Sequence, residues 1–341
     1  MTTRTVLHLT GSATSSLLDE LSLLYASDCL AATGNHHEAV VAHVDPNGSW
    51  RLPATLAAVD LAASPELAPT EALIAIVERG VDVVLPQLFC LPGMTTYRSL
   101  WAAVGLPVVG NTGTVMAVGA DKAWTRAVLA AADVDVPQGQ VVERGGTVDV
   151  ALPVVVKPVD ADNSVGVSLV RSQDELTPAL EAAWAASPRA LVERFVPAGR
   201  EVRCGVLDLD GELRCLPLEE YRLDPDRPVR AAADKLGRAA DGDLRLMAKD
   251  GAVAWSVDPR DPVTEVVWEV VRRCHRALSC RDHSLWDVRV DPEGRPWVLE
   301  ASLYCSFARQ SVVVMMAAAA GVPLEELFSR SVDQAVQRGP G

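Results

Sequence analysis

Residues 152–170, LPVVVKPVDADNSVGVSLV, set a lysine at the end of an unbroken apolar run. A proline follows Lys157, then a polar loop, then Gly166 and a second apolar run. A strand that ends in a buried ammonium is unfavourable unless an anion meets the charge. Residues 160–166 are small and hydrogen-bonding, a composition that lets backbone N–H groups close over phosphate. The stretch predicts two strands around a nucleotide-phosphate site.

A chain of 341 residues has room for two or three lobes around more than one core. A hydrophobic content of 49% and a mean hydropathy of +0.16 suit a packed globular enzyme. The net charge of −14 argues against nucleic acid or an anionic membrane as partner. Any anionic ligand must be held by a few local cations in a cleft. The N-terminal apolar run is too short for a signal peptide, and no stretch is expected to span a bilayer. Seven cysteines without a C-x-x-C pair fit free thiols in a reducing cytoplasm.

Strands are expected at residues 4–9, 38–44, 81–86 and 106–109, with helices at 16–32 and 70–79. That alternation predicts a parallel α/β first lobe, Rossmann-like in shape but without a G-x-G-x-x-G fingerprint. A helix at 120–132 leads into strand-rich sequence at 140–170, a helix at 172–186 and a strand at 190–195. The last third alternates strands (201–207, 212–217, 285–290, 296–301) with helices (264–278, 311–320, 323–330). Residues 222–251 read as a long loop at a site or a lid.

Two further constellations carry chemistry. Residues 285–301 form two apolar runs around the turn 291–294, predicting a hairpin in which Asp287 and Glu300 lie side by side. Adjacent carboxylates in an apolar sheet call for a cation between them. Beside phosphate that cation is Mg²⁺, which takes a few carboxylates plus phosphate oxygens. In ALVERFVPAGREVRCGVL, Glu193 ends one strand while Glu201 and Arg203 share a face of the next. The glutamates read as adenine and ribose contacts and Arg203 as facing phosphate or an intermediate. A ligand-free cross-strand salt bridge is the alternative.

Asp121-Lys122, LPVVVKP…NSVGVSLV, ALVERFVPAGREVRCGVL and the hairpin closing in VLEAS occur in one order that resembles the ATP-grasp ligases, in the D-alanine–D-alanine ligase-like branch. The resemblance implies an α/β (α+β) three-lobed fold: a Rossmann-like lobe over residues 1–113, a central lobe over 114–193 and a C-terminal lobe over 194–341. It implies an enzyme that phosphorylates a carboxylate with ATP and Mg²⁺, then couples the acyl phosphate to an amine. It assigns Lys122 and Lys157, with Lys235 as a further candidate, to ATP phosphates, and Ser164, Val165 and Gly166 to the covering loop. Glu193, Val196 and Glu201 would border adenine and ribose; Asp287 and Glu300 would hold the metal. Ser311, at a helix start, matches the position that binds the acceptor's carboxylate. A cytoplasmic homodimer is implied as well.

Departures from the family bear on the substrates. The arginine that D-alanine ligases carry two residues before the hairpin aspartate is Leu285 here, and Arg289 lies two residues after it. The asparagine after the metal glutamate is Ser302. Glu20 is the candidate for the glutamate that secures the first substrate's amino group. The expected activity is therefore a ligase joining two amino acids other than D-alanine with itself. Arg203, Arg289 and Arg309 add charge that would suit an acidic partner such as glutamate, unless salt bridges absorb it. Rival readings are D-alanine–D-alanine ligation, another ATP-grasp ligation in cofactor or natural-product assembly, and a non-catalytic nucleotide-binding regulator. In residues 86–98, Gln87, Tyr97 and Arg98 are candidates for an amino-acid pocket, with structural roles the alternative.

Overall fold

In the computed structural model, which describes residues 3–161, 164–224, 236–238, 244–246 and 253–340, apolar runs covered on both faces form the parallel strands of the first lobe. The chain runs β1 (Thr5–Gly11), α1 (Ser16–Thr33), β2 (Glu38–Val44), β3 (Trp50–Arg51), α2 (Ala58–Ala63), α3 (Pro69–Glu78), β4 (Val83–Pro86), α4 (Leu91–Met94) and α5 (Thr96–Ala103). The sheet order is β3-β2-β1-β4, with β1 parallel to β2 and to β4. Gly11 ends β1 at φ +98, and a Cβ there would lie 2.2 Å from the carbonyl oxygen of Val44, so only glycine fits. The expected strand at 106–109 is reduced to a single bridge, Val84 to Val108. Pro107 lacks the N–H that a longer ladder needs.

The helix expected at 120–132 is α7 (Lys122–Ala131), and a further helix that was not expected, α6 (Gly113–Ala120), precedes it. Asp121 caps α7 by accepting from the Trp124 N–H at 2.8 Å, which stops one helix and starts the next. The second sheet comprises β5 (Gly139–Glu143), β6 (Val154–Pro158), β7 (Ser168–Val170) and, after α8 (Gln173–Trp184), β8 (Arg189–Arg194), in the order β5-β8-β6-β7. Its valines pack on Leu176, Ala179, Leu180 and Ala183 of α8. One face is thus sealed, and the other faces a cleft.

The remaining chain supplies β9 (Arg200–Leu209), β10 (Glu212–Cys215), β11 (Glu219–Tyr221), β12 (Leu236–Arg238), β13 (Leu244–Leu246), β14 (Ala254–Ser256), α9 (Pro262–Ala277), β15 (His283–Val290), β16 (Pro296–Ser302), α10 (Val312–Ala319) and α11 (Leu324–Arg338). The third sheet is ordered β14-β11-β9-β15-β16, with β10 beside β9. Val263, Val267, Val271 and Cys274 of α9 cover one face of it, against Trp286 and Val288. Helix α11 runs past its expected end because Leu327, Phe328, Ser331, Val332 and Ala335 keep a buried stripe at three- and four-residue spacing. Residues of α10 and α11 pack with Val6, Val83 and Leu85 of the first sheet, which binds the first lobe to the last. Most of the expected 222–251 segment, Lys235 included, lies outside the described residues. Among those described, no single helix is long and apolar enough to cross a membrane.

Candidate active site

The second and third sheets face each other across a cavity of ≈ 110 Å³, and residues from both line it. Lys157 comes from the end of β6, Glu193 from β8, Glu201 from β9, Asp287 and Arg289 from β15, and Glu300 from β16; Lys122 comes from the first turn of α7. Lys157 is 8% exposed, and its Nζ stands 2.6 Å from Glu193 Oε2, so the anion demanded by the buried ammonium is a carboxylate of the chain. Lys122 Nζ lies 3.1 Å from Glu300 and donates to the Ala161 carbonyl at 2.6 Å.

A β-bulge sharpens this corner. Asp287 opposes Glu300 but Val288 opposes Val298, leaving Leu299 as the extra residue. The Leu299 carbonyl accepts from Lys157 Nζ at 3.4 Å, tying the second sheet to the third. The hairpin itself closes as its sequence predicts, with the Gly294 N–H donating to the Asp291 carbonyl at 2.9 Å and Gly294 at φ +85.

Cross-strand register fixes the two arginines. Arg203 is directly opposite Asp287, and its guanidinium donates to both carboxylate oxygens at 2.8 and 3.1 Å. Burial opposes its charge, yet Asp287 and then Tyr221 hold its pKa above the ordinary arginine value. Arg289 is opposite Glu201 and pairs with it at 2.5 Å, its guanidinium over the Phe195 ring. Glu201 and Arg203, like Asp287 and Arg289, are two residues apart and share one face of the sheet, so the two arginines are offset along the strands. Arg203, Leu285, Asp287, Glu300, Ser302 and Ser311 line a second cavity of ≈ 180 Å³, while Arg289 lines the first with Val196 and Glu201. The structure thus places Arg289 apart from Arg203 and Ser311, beside the residues expected at the nucleotide's base and sugar. Asp287 and Glu300 line both cavities and so stand at their junction.

The covering loop is divided. Ser164, at φ +59, lines the first cavity, whereas Val165 is half exposed and is not among the lining residues. Gly166 packs on α8, where a Cβ would meet the Ala182 carbonyl oxygen at 2.9 Å. That glycine serves close packing; it does not line the cavity.

Other candidates resolve into structural roles. Gln87 bonds His8 at 3.1 Å and donates to the Ser306 carbonyl at 2.9 Å. Arg98 donates to the carbonyls of Val109 and Asn111, and Tyr97 packs on Trp50. Glu20 is exposed, while Leu18 and Leu21 of the same helix line a third cavity. All seven cysteines are free and buried. Sequence reasoning missed Tyr25, Tyr304 and Gln310 in the second cavity, since lone polar residues far apart in the chain carry no pattern.

Among the described residues no group of three or more His, Cys, Asp or Glu side chains forms a metal cage. Mg²⁺ in a phosphate site needs fewer protein ligands, one or two carboxylates with phosphate and water completing the shell. The pair Asp287 and Glu300, each now held by a cation of the chain, fits that donor set.

A family model described as the D-ala D-ala ligase C-terminus matches residues 129–333. The D-alanine–D-alanine ligase of Mycolicibacterium smegmatis is 33% identical over 337 residues, covering 89% of this chain and 88% of that one. That of Mycobacterium tuberculosis H37Rv is 32% identical over 273 residues, covering 77% and 70%. Among solved structures, the D-alanine–D-alanine ligase of Coxiella burnetii superposes with a TM-score of 0.75 at 20% identity, over 98% of this chain and 94% of that one. The D-Ala:D-Ser ligase VanG of Enterococcus faecalis gives 0.74 at 18% identity, over 98% and 100%. The fold and the facing sheets are those of the ATP-grasp ligases, ATP-dependent enzymes. Within them, the chain belongs to the D-alanine–D-alanine ligase family.

Proposed function

We propose that this ligase uses MgATP to phosphorylate the carboxylate of one amino acid and joins it to the amine of a second, releasing ADP and phosphate. The observation that carries the reading is the position of Asp287 and Glu300 at the junction of two cavities, one rich in paired cations and one ending at Ser311. Phosphoryl transfer asks mainly for positioning and charge neutralisation, which Lys122, Lys157 and Ser164 would give to the triphosphate. Glu201, Val196 and Arg289 would border the base and ribose. Bound Mg²⁺ would neutralise phosphate charge and draw its protein ligands from Asp287 and Glu300, with Ser302 beside them.

At 110 Å³ the first cavity is smaller than the several hundred Å³ usual for a ligand site. The pairs Lys157–Glu193 and Lys122–Glu300 line it, and a triphosphate would exchange carboxylate partners for phosphate oxygens. Among the described residues Arg203 is the cation that lines the second cavity, and it would steady the oxyanion that develops as the amine attacks. Ser311, at the N-cap of α10, would receive the acceptor's carboxylate.

The pair of substrates is proposed to differ from D-alanine with itself, since the charge in this cavity comes from β9 and not from position 285. Arg203, Arg289 and Arg309 each hold a carboxylate of the chain itself, so an acidic substrate gains no support from them. We place the enzyme in the cytoplasm as a homodimer; the buried thiols suit the first and sedimentation velocity checks the second. The deciding experiment is ADP release with Mg²⁺ and a matrix of L- and D-amino-acid pairs, with mass analysis of products. Stimulation by at least one pair and a condensed dipeptide are expected; a silent matrix ends the amino-acid ligase reading.

A further inference from the structure

The third cavity, ≈ 240 Å³, is the largest of the three and adjoins the second, with residues of the first lobe on its far side. Leu18 and Leu21 of α1, Phe89 and Leu91 beyond β4, Met116 of α6 and Leu303 beyond β16 form its apolar walls. It lies past the C-terminal end of β4, where open α/β sheets receive ligands. Ser302 and Tyr304 line this cavity and the second one, so the two adjoin. Among the described residues, Asp160, in the loop after β6, is the one charged side chain that lines it. An acidic side chain would meet no cation there among the described residues and would face the like charge of Asp160. An alanine methyl would leave most of the space unfilled, for a cavity of about 150 Å³ already accepts benzene.

We propose that the amino acid whose carboxylate is activated carries a large apolar side chain, of leucine, methionine or phenylalanine size, seated in this cavity. The assignment rests on the ligase reading above. It falls to the activated substrate because the junction at Ser302 is two residues from Glu300 and the cavity reaches the loop after β6. Ser311, the acceptor's anchor, lines the second cavity but not this one. Neither D-alanine nor glutamate is then the preferred first residue.

The test compares kcat/KM for activated alanine, glutamate, leucine, methionine and phenylalanine against one acceptor, with tandem mass spectrometry fixing which residue is N-terminal in the product. Leucine, methionine or phenylalanine should exceed alanine and glutamate by at least about tenfold, within the roughly 10–200-fold range that apolar pockets give per missing group. Alanine or glutamate matching them, or large apolar residues found only at the C-terminal position, overturns the assignment and leaves the ligase reading standing. Absence of ADP release with every pair overturns both. Leu91→Trp, at a half-exposed position that tolerates bulk, should shrink the apolar-to-alanine ratio by about tenfold. Leu18→Phe is the second variant should the first not fold, and an unchanged ratio in a folded variant also overturns the proposal.

Discussion

Lys157 is part of the fold as well as of the candidate ATP site. Its partner Glu193 is 4% exposed, so truncating the lysine removes the close contact of a buried carboxylate and leaves it Arg126 at 4.0 Å. Lys157→Ala should therefore destabilise the fold, by up to about 3 kcal/mol in urea denaturation. Lys157→Met combined with Glu193→Gln should recover most of that stability while ATP binding stays lost in calorimetry. Normal ATP affinity in the double variant would falsify the phosphate assignment. Arg203 offers a sharper test of chemistry. Arg203→Lys keeps the charge but not the two-pronged contact with Asp287, and should lower kcat by roughly 10²-fold with little change in ATP affinity. Equal losses in kcat and nucleotide affinity would assign it to binding.

At the scale of elements, three histidines sit where strands and helices meet. His8 of β1, His275 of α9 and His283 of β15 are each pushed down to about 4, chiefly by burial. His275 faces Ser284 at 2.8 Å, and the carbonyl of His283 accepts from Asn111 at 3.0 Å across the lobe junction. Lowered folded pKa values mean that the unfolded chain binds more protons below its ordinary histidine pKa of about 6.5. Stability is therefore full above pH 6.5 and falls as pH drops towards 4, by about 1.4 kcal/mol per pH unit for each histidine. Urea midpoints at pH 7, 6 and 5 should decline progressively more steeply, and His283→Gln should flatten the decline. A midpoint independent of pH over that range would show that these imidazoles do not govern acid stability.

For the whole molecule, the cleft between the second and third sheets is closed by ion pairs that a nucleotide must displace. MgATP at 100 times its dissociation constant should stabilise the protein by about 2.7 kcal/mol, visible as a rise in melting temperature. Excess EDTA should remove most of the rise if Asp287 and Glu300 share the metal, because two carboxylates then face the phosphates without a cation between them. A shift unaffected by EDTA would mean that nucleotide binding here does without a divalent ion.

What the chain determined by itself was local chemistry. A lysine closing an apolar run, a hairpin turn that sets Asp287 against Glu300, and two-residue alternation along residues 201–203 are legible because strand geometry follows directly from sequence spacing. The family was legible for the same reason, since its motifs are contiguous. Only the tertiary structure decided which charges meet, pairing Arg203 with Asp287 and Arg289 with Glu201, because register between strands depends on the packing of whole sheets. It alone also made the apolar cavity. Leu18, Phe89, Met116 and Leu303 read as ordinary core in sequence, and whether such side chains pack against each other or around a void is settled by how separate lobes dock.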